Sequence, residues 1–300
     1  MLAMEKGFFK EQGINLEYVA FNNNDQMIAP MGTDELDVGA LLVTPAVLNA
    51  KDRGIDLRLV ADKGTSRPKY ESYWIMLRKD LADSGQVKTP ADLKGMKVAI
   101  MARGAMGHQT AELMLAKGGL SEKDVADAKY EILPPPNHAP AFGNKAIAAS
   151  FVIDPFATAL VQQGLAVKWF ASSSLYPGNS IEAATVAYAP KLAKNTDLGR
   201  RWMVAYLKGV RYYFEALKPA QGKAEIAAAV AKYTPIKDPK MFEDMEPAYL
   251  DPNGALDSAS LKFQYDWLVK EGAYTGKTTF QDLIDTSFAD YAVQQLGKYQ

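Results

Sequence analysis

The strongest constraint on the fold is the alternation of short apolar strands with helices along the first two thirds of the chain. Glu35–Leu42 is predicted as a strand, a helix begins at Thr44-Pro45 and ends at Gly54, and another strand follows at Asp56–Asp62. Threonine followed by proline is a good helix start, because the hydroxyl accepts a free amide proton and proline presets φ. Strands that alternate with helices predict mostly parallel sheets, covered on both faces.

A second alternating set of strands and helices follows the first. Polar, turn-rich loops near 63–71 and 172–182 flank this second set, which predicts that the chain crosses twice between two lobes. The predicted strands of the second set are Ser72–Asp80, Lys97–Ala102, a YEILPPP segment that begins at Tyr130, and Ala149–Asp154.

We therefore expect an α/β protein with residues 1–70 and 185–300 in lobe 1 and residues 71–184 in lobe 2. A chain of 300 residues is long enough for two lobes, each with its own core. After the second crossing, a strand at Ala183–Tyr188 leads into a helical C-terminal tail. A ligand is expected between the lobes, where loops leave the carboxyl ends of the strands.

The start of the chain predicts a helix and then a strand. Met1–Gln12 is mostly helix-tolerant, and Gly13 stands where a helix C-cap favours positive φ. The following segment INLEYVAF, residues 14–21, alternates apolar and polar side chains as a half-buried strand does. A helix that feeds a strand normally follows an earlier strand. We expect either that the earlier strand was removed or that another element fills its position in the sheet.

The composition excludes several classes of function. The chain has 34 Lys and Arg against 35 Asp and Glu, so no bulk charge favours nucleic acid or an anionic membrane surface. No apolar run approaches the roughly 18–20 residues of a membrane helix. The absence of cysteine excludes disulfides, thiolate metal sites and cysteine nucleophiles. With only two histidines, we expect no metal, no organic cofactor and no catalytic residue.

Several segments carry a family resemblance through their order and spacing. They are MEKGFFKEQGINLEYV, ELDVGALLVTPAVLNAKDRGIDLRLVAD, LKGMKVAIMARGAMGH, AIAASFVIDPFATALVQQG and LIDTSFADYAVQQLGKY. Together they resemble the substrate-binding proteins of ABC importers, in the branch that handles aliphatic sulfonates, nitrate, thiamine pyrimidines and related small organic molecules. The resemblance covers nearly the whole chain.

The resemblance implies a two-lobed periplasmic binding-protein fold with two hinge crossings. A small molecule would bind in the interlobe cleft, and hinge closure would present the complex to a membrane permease. The resemblance also implies a monomer that is periplasmic or anchored at the cell surface. In this family a strand precedes the GFF helix and follows an export signal, and neither is visible in this chain.

The strand–loop–helix segment IMARGAMGHQTAE is the most distinctive local feature. Gly104 and Gly107 permit close approach of the backbone, and the free N–H groups of the following helix favour an anion or a polar oxygen. The segment is neither a P-loop nor a dinucleotide-binding fingerprint, and a plain turn between strand and helix is the alternative. Arg103 could pair with a carboxylate or sulfonate, or be a solvated surface residue. His108 could donate to a ligand, or be a first-turn surface residue.

Other candidates also have a structural alternative. Thr44 is either a ligand contact or a plain N-cap, and His138 either faces the cleft or belongs to a proline-rich surface loop. Asp154 either contacts ligand or caps the next helix, and Tyr176 either lines the cleft or stiffens the hinge. The complete set of predicted ligand-binding residues is Thr44, Thr65, Ser66, Arg67, Tyr70, Arg103, Gly104, Ala105, His108, His138, Asp154, Phe156 and Tyr176.

The sequence features and the resemblance together indicate that the protein is the solute-binding component of an ABC importer and has no catalytic activity. Arginines in the candidate loops favour an organic anion, and nearby aromatic side chains allow a ring. One alternative is a thiamine-pyrimidine biosynthesis enzyme of the same fold. The family implies that such enzymes use pyridoxal phosphate and a cysteine cluster, and this chain has no cysteine. The other alternative is a ligand-sensing domain, which the near-neutral charge and the lack of a helix-turn-helix disfavour.

Overall fold

The computed structural model describes residues 1–21, 25–233, 241 and 244–300. The chain divides into two compact units. The first unit comprises Met1–Thr65, Glu182–Lys240 and Tyr249–Gln300, and the second comprises Ser66–Ile181 and Met241–Ala248. The chain therefore passes out of the first unit after Thr65 and returns at Glu182, and both positions lie in strands, whereas polar loops were predicted near 63–71 and 172–182. The assignment of Met241–Ala248 to the second unit has no counterpart in the sequence prediction.

The described residues form strands and helices in alternation through most of the chain. The strands are β1 (Val38–Leu41), β2 (Arg58–Ser66), β3 (Tyr73–Arg78), β4 (Lys97–Ile100), β5 (Lys129–Ile132), β6 (Ala149–Ile153), β7 (Ala166–Ala171) and β8 (Ile181–Tyr188). The α-helices are α1 (Leu2–Glu5), α2 (Phe8–Glu11), α3 (Asp25–Gly32), α4 (Pro45–Asp52), α5 (Lys79–Asp83), α6 (Met106–Lys117), α7 (Glu122–Ala126), α8 (His138–Gly143), α9 (Phe156–Gln162), α10 (Pro190–Lys194), α11 (Thr196–Ala216), α12 (Ala220–Tyr233), α13 (Ser258–Lys270), α14 (Phe280–Leu283) and α15 (Ser287–Leu296). Short 3₁₀ turns span Pro90–Leu93, Pro135–Asn137, Ser172–Leu175 and Pro177–Asn179.

The first unit is built on a three-stranded sheet with the order β1-β8-β2. β8 pairs antiparallel with β1, with Val38 opposite Tyr188. Seven of the eight residues of β8 are buried, which suits a central strand covered on both faces. β8 therefore occupies the central position of this sheet.

The predicted strand at residues 14–21 is wrong, because this segment forms no regular secondary structure. Ile14 and Leu16 pack against the helical core of the first unit, while the side chains between and after them are mostly exposed. An extended segment that lies on helices has the same alternation as a strand but lacks a hydrogen-bonded neighbour. The predicted helix before it is split into α1 and α2 because Gly7 adopts a left-handed φ of 74°.

The second unit is built on a five-stranded sheet with the order β5-β4-β6-β3-β7. β4 runs parallel to β5 and β6, whereas β3 runs antiparallel to β6 and β7. The prediction of mostly parallel sheets is therefore wrong for the strands next to the chain passages. Parallel pairing of consecutive strands requires a crossover connection, usually a helix. A strand that enters directly from another unit has no such connection and can pair antiparallel. The sequence prediction also missed β7, a half-buried edge strand.

Each unit has its own apolar core. In the first unit, the long helix α11 buries Met203, Leu207 and Val210. The apolar residues at helical spacing in RRWMVAYLKGVRYYFEAL therefore form a core face. In the second unit, Met76, Phe142 and Val152 lie in a cluster between the sheet and helices α8 and α9. Among the described residues, no helix is both long and apolar enough to cross a membrane.

Candidate functional site

The turn between β4 and α6 has the geometry of an anion-accepting helix start. Gly104 adopts a positive φ of 66°, which lets the backbone fold sharply ahead of the helix. The N-cap residue is Ala105, which has no side-chain acceptor to cap the first amides of this 12-residue helix. This end of α6 therefore presents N–H groups that favour a negatively charged group.

His108 braces the same turn. Its Nδ1 accepts the amide proton of Gly104 at 3.3 Å, and its Nε2 lies 3.4 Å from Oε1 of Glu112. The ring stands edge-on to Tyr130, with centroids 4.7 Å apart. Burial, together with the charge of Arg103, lowers the pKa of His108 to about 4. His108 is therefore neutral at pH 7, with its proton on Nε2, and it orients the turn through Gly104.

We expect the His108 ring to stay neutral from pH 8 down to pH 5, because its pKa is lowered to about 4. Because the pKa of His108 is lower in the native protein, the ring is protonated in the unfolded chain at a higher pH than in the native protein. The free energy of unfolding should therefore fall as the pH drops from about 6.5 toward the native pKa. The measurement is the pH titration of the imidazole carbon-bound protons by NMR, assigned with a His108→Gln variant. A midpoint near 6.5 would refute the buried, neutral ring.

Arg103 lies on the exposed side of the turn. Its guanidinium carbon is 5.5 Å from the centroid of the Tyr130 ring, a cation–π distance. A contact with an aromatic face restrains the guanidinium while leaving its planar N–H donors able to bind an oxyanion. Arg103 and the amides at the start of α6 together favour negative charge.

Tyr176 supports the first turns of α6 from inside the second unit. The side chain is buried, and its hydroxyl lies 2.9 Å from Oγ1 of Thr110, 3.1 Å from Oε1 of Gln109 and 3.4 Å from the carbonyl oxygen of Met106. Burial raises the pKa of Tyr176 above its ordinary value. These contacts support α6 within the second unit, and the roles considered for Tyr176, lining the cleft or stiffening the hinge, stay predictions.

His138 is a core residue, which corrects its interpretation as a cleft or surface-loop residue. The side chain has no exposed surface, and burial lowers its pKa. Nδ1 lies 2.6 Å from the hydroxyl of Ser150, and Nε2 lies 3.0 Å from the carbonyl oxygen of Leu133. Because both ring nitrogens already have protein partners, His138 ties α8 to the sheet and is not exposed to a ligand.

Asp154 is a buried structural carboxylate at the end of β6. Its Oδ1 accepts hydrogen bonds from the amide and the hydroxyl of Thr158, at 2.9 Å and 2.7 Å. Its Oδ2 accepts from Nε1 of Trp74 at 3.1 Å and from Nζ of Lys168 at 3.2 Å. The capping role considered for Asp154 is therefore present in the structure, while Phe156 packs partly buried against the second unit's core.

The candidates from the first unit also have structural partners. Oγ1 of Thr44 accepts the amide proton of Val47 at 3.3 Å and caps α4. Oγ1 of Thr65 donates to Oδ1 of Asp62 at 3.0 Å, and the Thr65 amide donates to the carbonyl of Tyr249 at 3.0 Å. These two threonines therefore fix the ends of local elements of the first unit.

A short turn begins the second unit. The Tyr70 amide donates to the Arg67 carbonyl at 2.9 Å, and Lys69 between them adopts a positive φ of 72°. The Arg67 side chain is exposed and that of Tyr70 is half-buried. The two predicted residues are therefore brought together on one tight turn.

Glu71 is a buried acid next to this turn and was not among the residues predicted from the sequence. Its Oε1 accepts the hydroxyl proton of Ser66, and its Oε2 accepts the hydroxyl proton of Ser173. Burial raises the pKa of the Glu71 carboxyl. Glu71 thus joins the segment that enters the second unit to the segment that precedes its exit. No local signal distinguishes it, because an acid in a polar loop is normally solvated.

Two open depressions lie away from all the predicted residues. One, of about 270 Å³, is lined in the second unit by residues that include Arg78, Lys97 and Lys145. The other, of about 480 Å³, is lined in the first unit by residues that include Lys51 and Arg58. In each depression one lining cation forms an ion pair, Arg78 with Asp80 in the first and Lys51 with Asp56 in the second.

Solved structures share this fold over almost the whole chain. The periplasmic aliphatic sulphonate binding protein SsuA from Escherichia coli is similar with a TM-score of 0.73 at 20% identity, covering 95% of this chain and 87% of its own. The periplasmic nitrate-binding protein NrtA from Synechocystis PCC 6803 is similar with a TM-score of 0.75 at 16% identity, covering 99% of this chain and 85% of its own. The chain thus has the fold of periplasmic substrate-binding proteins.

Sequence comparison points to the same group. A protein of Brucella abortus (strain 2308), named as a binding protein, is 25% identical over an alignment of 218 residues that covers 69% of this chain. The match spans 60% of that relative's own length. The NMT1/THI5-like family matches residues 1–220. Because that match extends over more than two thirds of the sequence, the chain belongs to the NMT1/THI5-like family.

Proposed function

We propose that this protein is the solute-binding component of an ABC importer and that it captures a small organic anion without converting it. The observation that carries the proposal is the fold, which the chain shares over nearly its whole length with periplasmic sulphonate- and nitrate-binding proteins. The proposed partners are the solute and a membrane permease, and the proposed location is the periplasm or the cell surface. The protein is proposed to act as a monomer, with no cofactor and no nucleic acid.

The proposed binding position is on the second unit, which carries the α6 turn. The polar end of the solute is proposed to bind at the Arg103–His108 turn, with Arg67 and Tyr70 contributing from the first crossing. Support comes from the uncapped start of α6 and from the exposed guanidinium of Arg103. A hydrogen bond to a charged group contributes roughly 1.5–3 kcal/mol. A sulfonate, a carboxylate or nitrate offers the oxygen atoms that such donors require.

A thermal-shift screen tests this proposal. The panel contains alkanesulfonates, nitrate, aromatic carboxylates and neutral pyrimidines, each at millimolar concentration. A ligand present at about 100 times its Kd stabilises the native state by about 2.7 kcal/mol, which moves the melting temperature visibly. We expect at least one anion to raise the melting temperature and the neutral pyrimidines to have no effect. A response to neutral pyrimidines alone would reject the anion assignment.

Arg103→Ala is expected to weaken binding of the identified anion about tenfold, which corresponds to about 1.4 kcal/mol. The expected reason is the loss of a charge-assisted contact at the turn. The melting temperature without ligand should stay nearly unchanged, because Arg103 is exposed. The measurement is calorimetric titration of both proteins.

The matched control is Arg200→Ala. Arg200 is also exposed, and its guanidinium carbon lies 4.6 Å from the Tyr291 ring in the first unit, so the same kind of contact is lost elsewhere. We expect this control to bind the anion as the unaltered protein does. An equal Kd for the Arg103→Ala variant and the control would discard the anion site at the turn and leave the fold-based proposal standing.

A further inference from the structure

Two carboxyl groups are buried together where the chain leaves and re-enters the first unit. Asp62 lies on β2, three residues before the chain passes out after Thr65, and Glu182 is the first residue of the returning segment. Their side chains are among the most buried polar groups of the unit, at 0% and 1% exposure. Two buried acids in contact require an explanation, because burying an unpaired charge is costly.

The hydrogen bonds of Asp62 are those of an ionised carboxylate. Its Oδ1 accepts the amide proton of Gly64 at 2.8 Å and the hydroxyl proton of Thr65 at 3.0 Å. Its Oδ2 accepts the amide proton of Asp251. Since both oxygens already accept protons from donors, a proton placed on Asp62 would displace one of these bonds.

Glu182 has the opposite pattern. Its Oε2 accepts the amide proton of Asp257 at 2.7 Å, but no N–H or O–H donor reaches Oε1 within the described part of the chain. Asp62 on β2 and Glu182 on β8 lie on neighbouring strands, and their carboxyl groups are close enough to interact electrostatically. Two carboxyl groups can share a hydrogen bond only if a proton lies between them. The unused oxygen of Glu182 is the position that this proton fits.

The surrounding charged groups favour the same assignment. Asp257 faces Glu182 and disfavours a second negative charge there. Asp251 directs its amide to Asp62, while Tyr206 donates its hydroxyl proton to the Asp62 backbone carbonyl at 2.8 Å. Lys63 follows Asp62 on β2, and its charge interacts with that of Asp62. This environment tolerates one negative charge on the pair and opposes two.

We propose that Glu182 keeps its carboxylic proton at neutral pH and donates it to Asp62, so that the shared proton is a pH-sensitive link between the outgoing and returning chain segments of the first unit. Loss of the proton would leave two adjacent buried negative charges and loosen the contacts of Gly64 and Thr65. The Asp62–Glu182 pair then holds the outgoing and returning chain segments in place, whichever solute is bound.

The direction of the pH effect follows from linkage. Burial, followed by the charge of Asp62, raises the pKa of Glu182 well above its ordinary value. The native protein therefore holds a proton that the unfolded chain releases near pH 4.5. This proton contributes its full stabilisation at pH values below the pKa that Glu182 has in the unfolded chain. The stabilisation is lost as the pH rises through the higher pKa that Glu182 has in the native protein.

The test compares melting temperatures at pH 6 and pH 9 for the unaltered protein and three single variants. In Glu182→Gln, the amide N–H of the new side chain can donate to Asp62 at every pH. We expect its melting temperature to exceed that of the unaltered protein at pH 9 by a few degrees and to differ little at pH 6. In Asp62→Asn, one of the two acceptor oxygens becomes an NH2 group, so either the Asp251 amide or the Gly64 and Thr65 donors lose their acceptor. The melting temperature should therefore fall at both pH values.

The matched control is Glu71→Gln, another buried carboxyl, whose two oxygens accept serine hydroxyl protons. An amide group cannot replace both acceptors, so this variant should melt lower at both pH values. A melting temperature of Glu182→Gln at or below that of the unaltered protein at pH 9 would overturn the proposal. So would a gain in Asp62→Asn, which would put the proton on Asp62.

A second readout covers the case in which a variant fails to fold. In the unaltered protein, hydrogen exchange at the Gly64 amide, corrected for the intrinsic effect of pH, should accelerate at least several-fold between pH 6 and pH 9. The His108 turn of the second unit serves as the internal reference. Equal protection of the Gly64 amide at both pH values would overturn the proposal.

Discussion

Asp154→Ala is expected to lower the free energy of unfolding by about 3 kcal/mol, because it removes a buried acceptor and leaves a cation unpaired. The Asp154 side chain is 1% exposed and that of Lys168 is 23% exposed, so water replaces the lost contacts poorly. The amide and hydroxyl of Thr158 and the indole N–H of Trp74 lose their acceptor in the same substitution. Urea unfolding followed by tryptophan fluorescence measures the change.

Asp197→Ala is the control for the loss of any aspartate in an ion pair. Asp197 pairs with Arg201 one helical turn away, but its side chain is 79% exposed. An exposed pair of this kind contributes at most about 0.5 kcal/mol. If Asp154→Ala cost as little as this control, Asp154 would not be the buried brace described here, and a role in contact with solute would again be open.

Gly107→Ala is expected to destabilise the protein by about 2 kcal/mol, although alanine normally favours a helix over glycine. A Cβ atom at position 107 would lie 2.5 Å from Cδ1 of Phe151. The Phe151 ring is fully buried and stacks on Tyr73, with centroids 5.5 Å apart and planes 16° apart, so it cannot move away. The helix start would have to shift, and the α6 turn with it. Thermal and urea unfolding measure the loss.

Gly143→Ala is the matched control, because Gly143 is also helical and the nearest atom to its added Cβ is 3.8 Å away, on Leu165. We expect this variant to be as stable as the unaltered protein or slightly more stable. Adding Phe151→Leu to Gly107→Ala should recover part of the loss, since the smaller side chain leaves room for the methyl group. Equal stabilities of Gly107→Ala and Gly143→Ala would contradict the close packing of α6 on β6.

Sequence patterns predicted elements well where the deciding interaction is local. Thr44-Pro45 marked the start of α4, and the GAMGH segment marked the turn before α6, because caps and glycine turns depend on neighbouring residues. Strand pairing depends on which chain segments arrive beside each other. The alternation at 14–21 therefore predicted a strand that has no partner, and the antiparallel entry of β3 was missed.

The partners of side chains in the candidate site could not be predicted from the sequence either. The type of residue at a position indicates what it can bind, but its partner is set by the fold. His138 is satisfied by Ser150 and Tyr176 by Thr110, which lies 66 residues away, so neither pairing could be read from neighbouring residues. Glu71 and Glu182 were missed for the opposite reason. Acidic residues in polar segments are usually solvated, and only the fold buries these two.

The proposed function requires that the protein bind a small anion reversibly and leave it chemically unchanged. One measurement tests this most directly: calorimetric titration with the anion that gives the largest thermal shift, followed by NMR of the ligand recovered from the same cell. We expect saturable one-to-one binding of about −8 kcal/mol or tighter, which corresponds to a micromolar Kd, and a ligand spectrum identical to that of the starting material. A new product signal, or the absence of saturable binding, would contradict it.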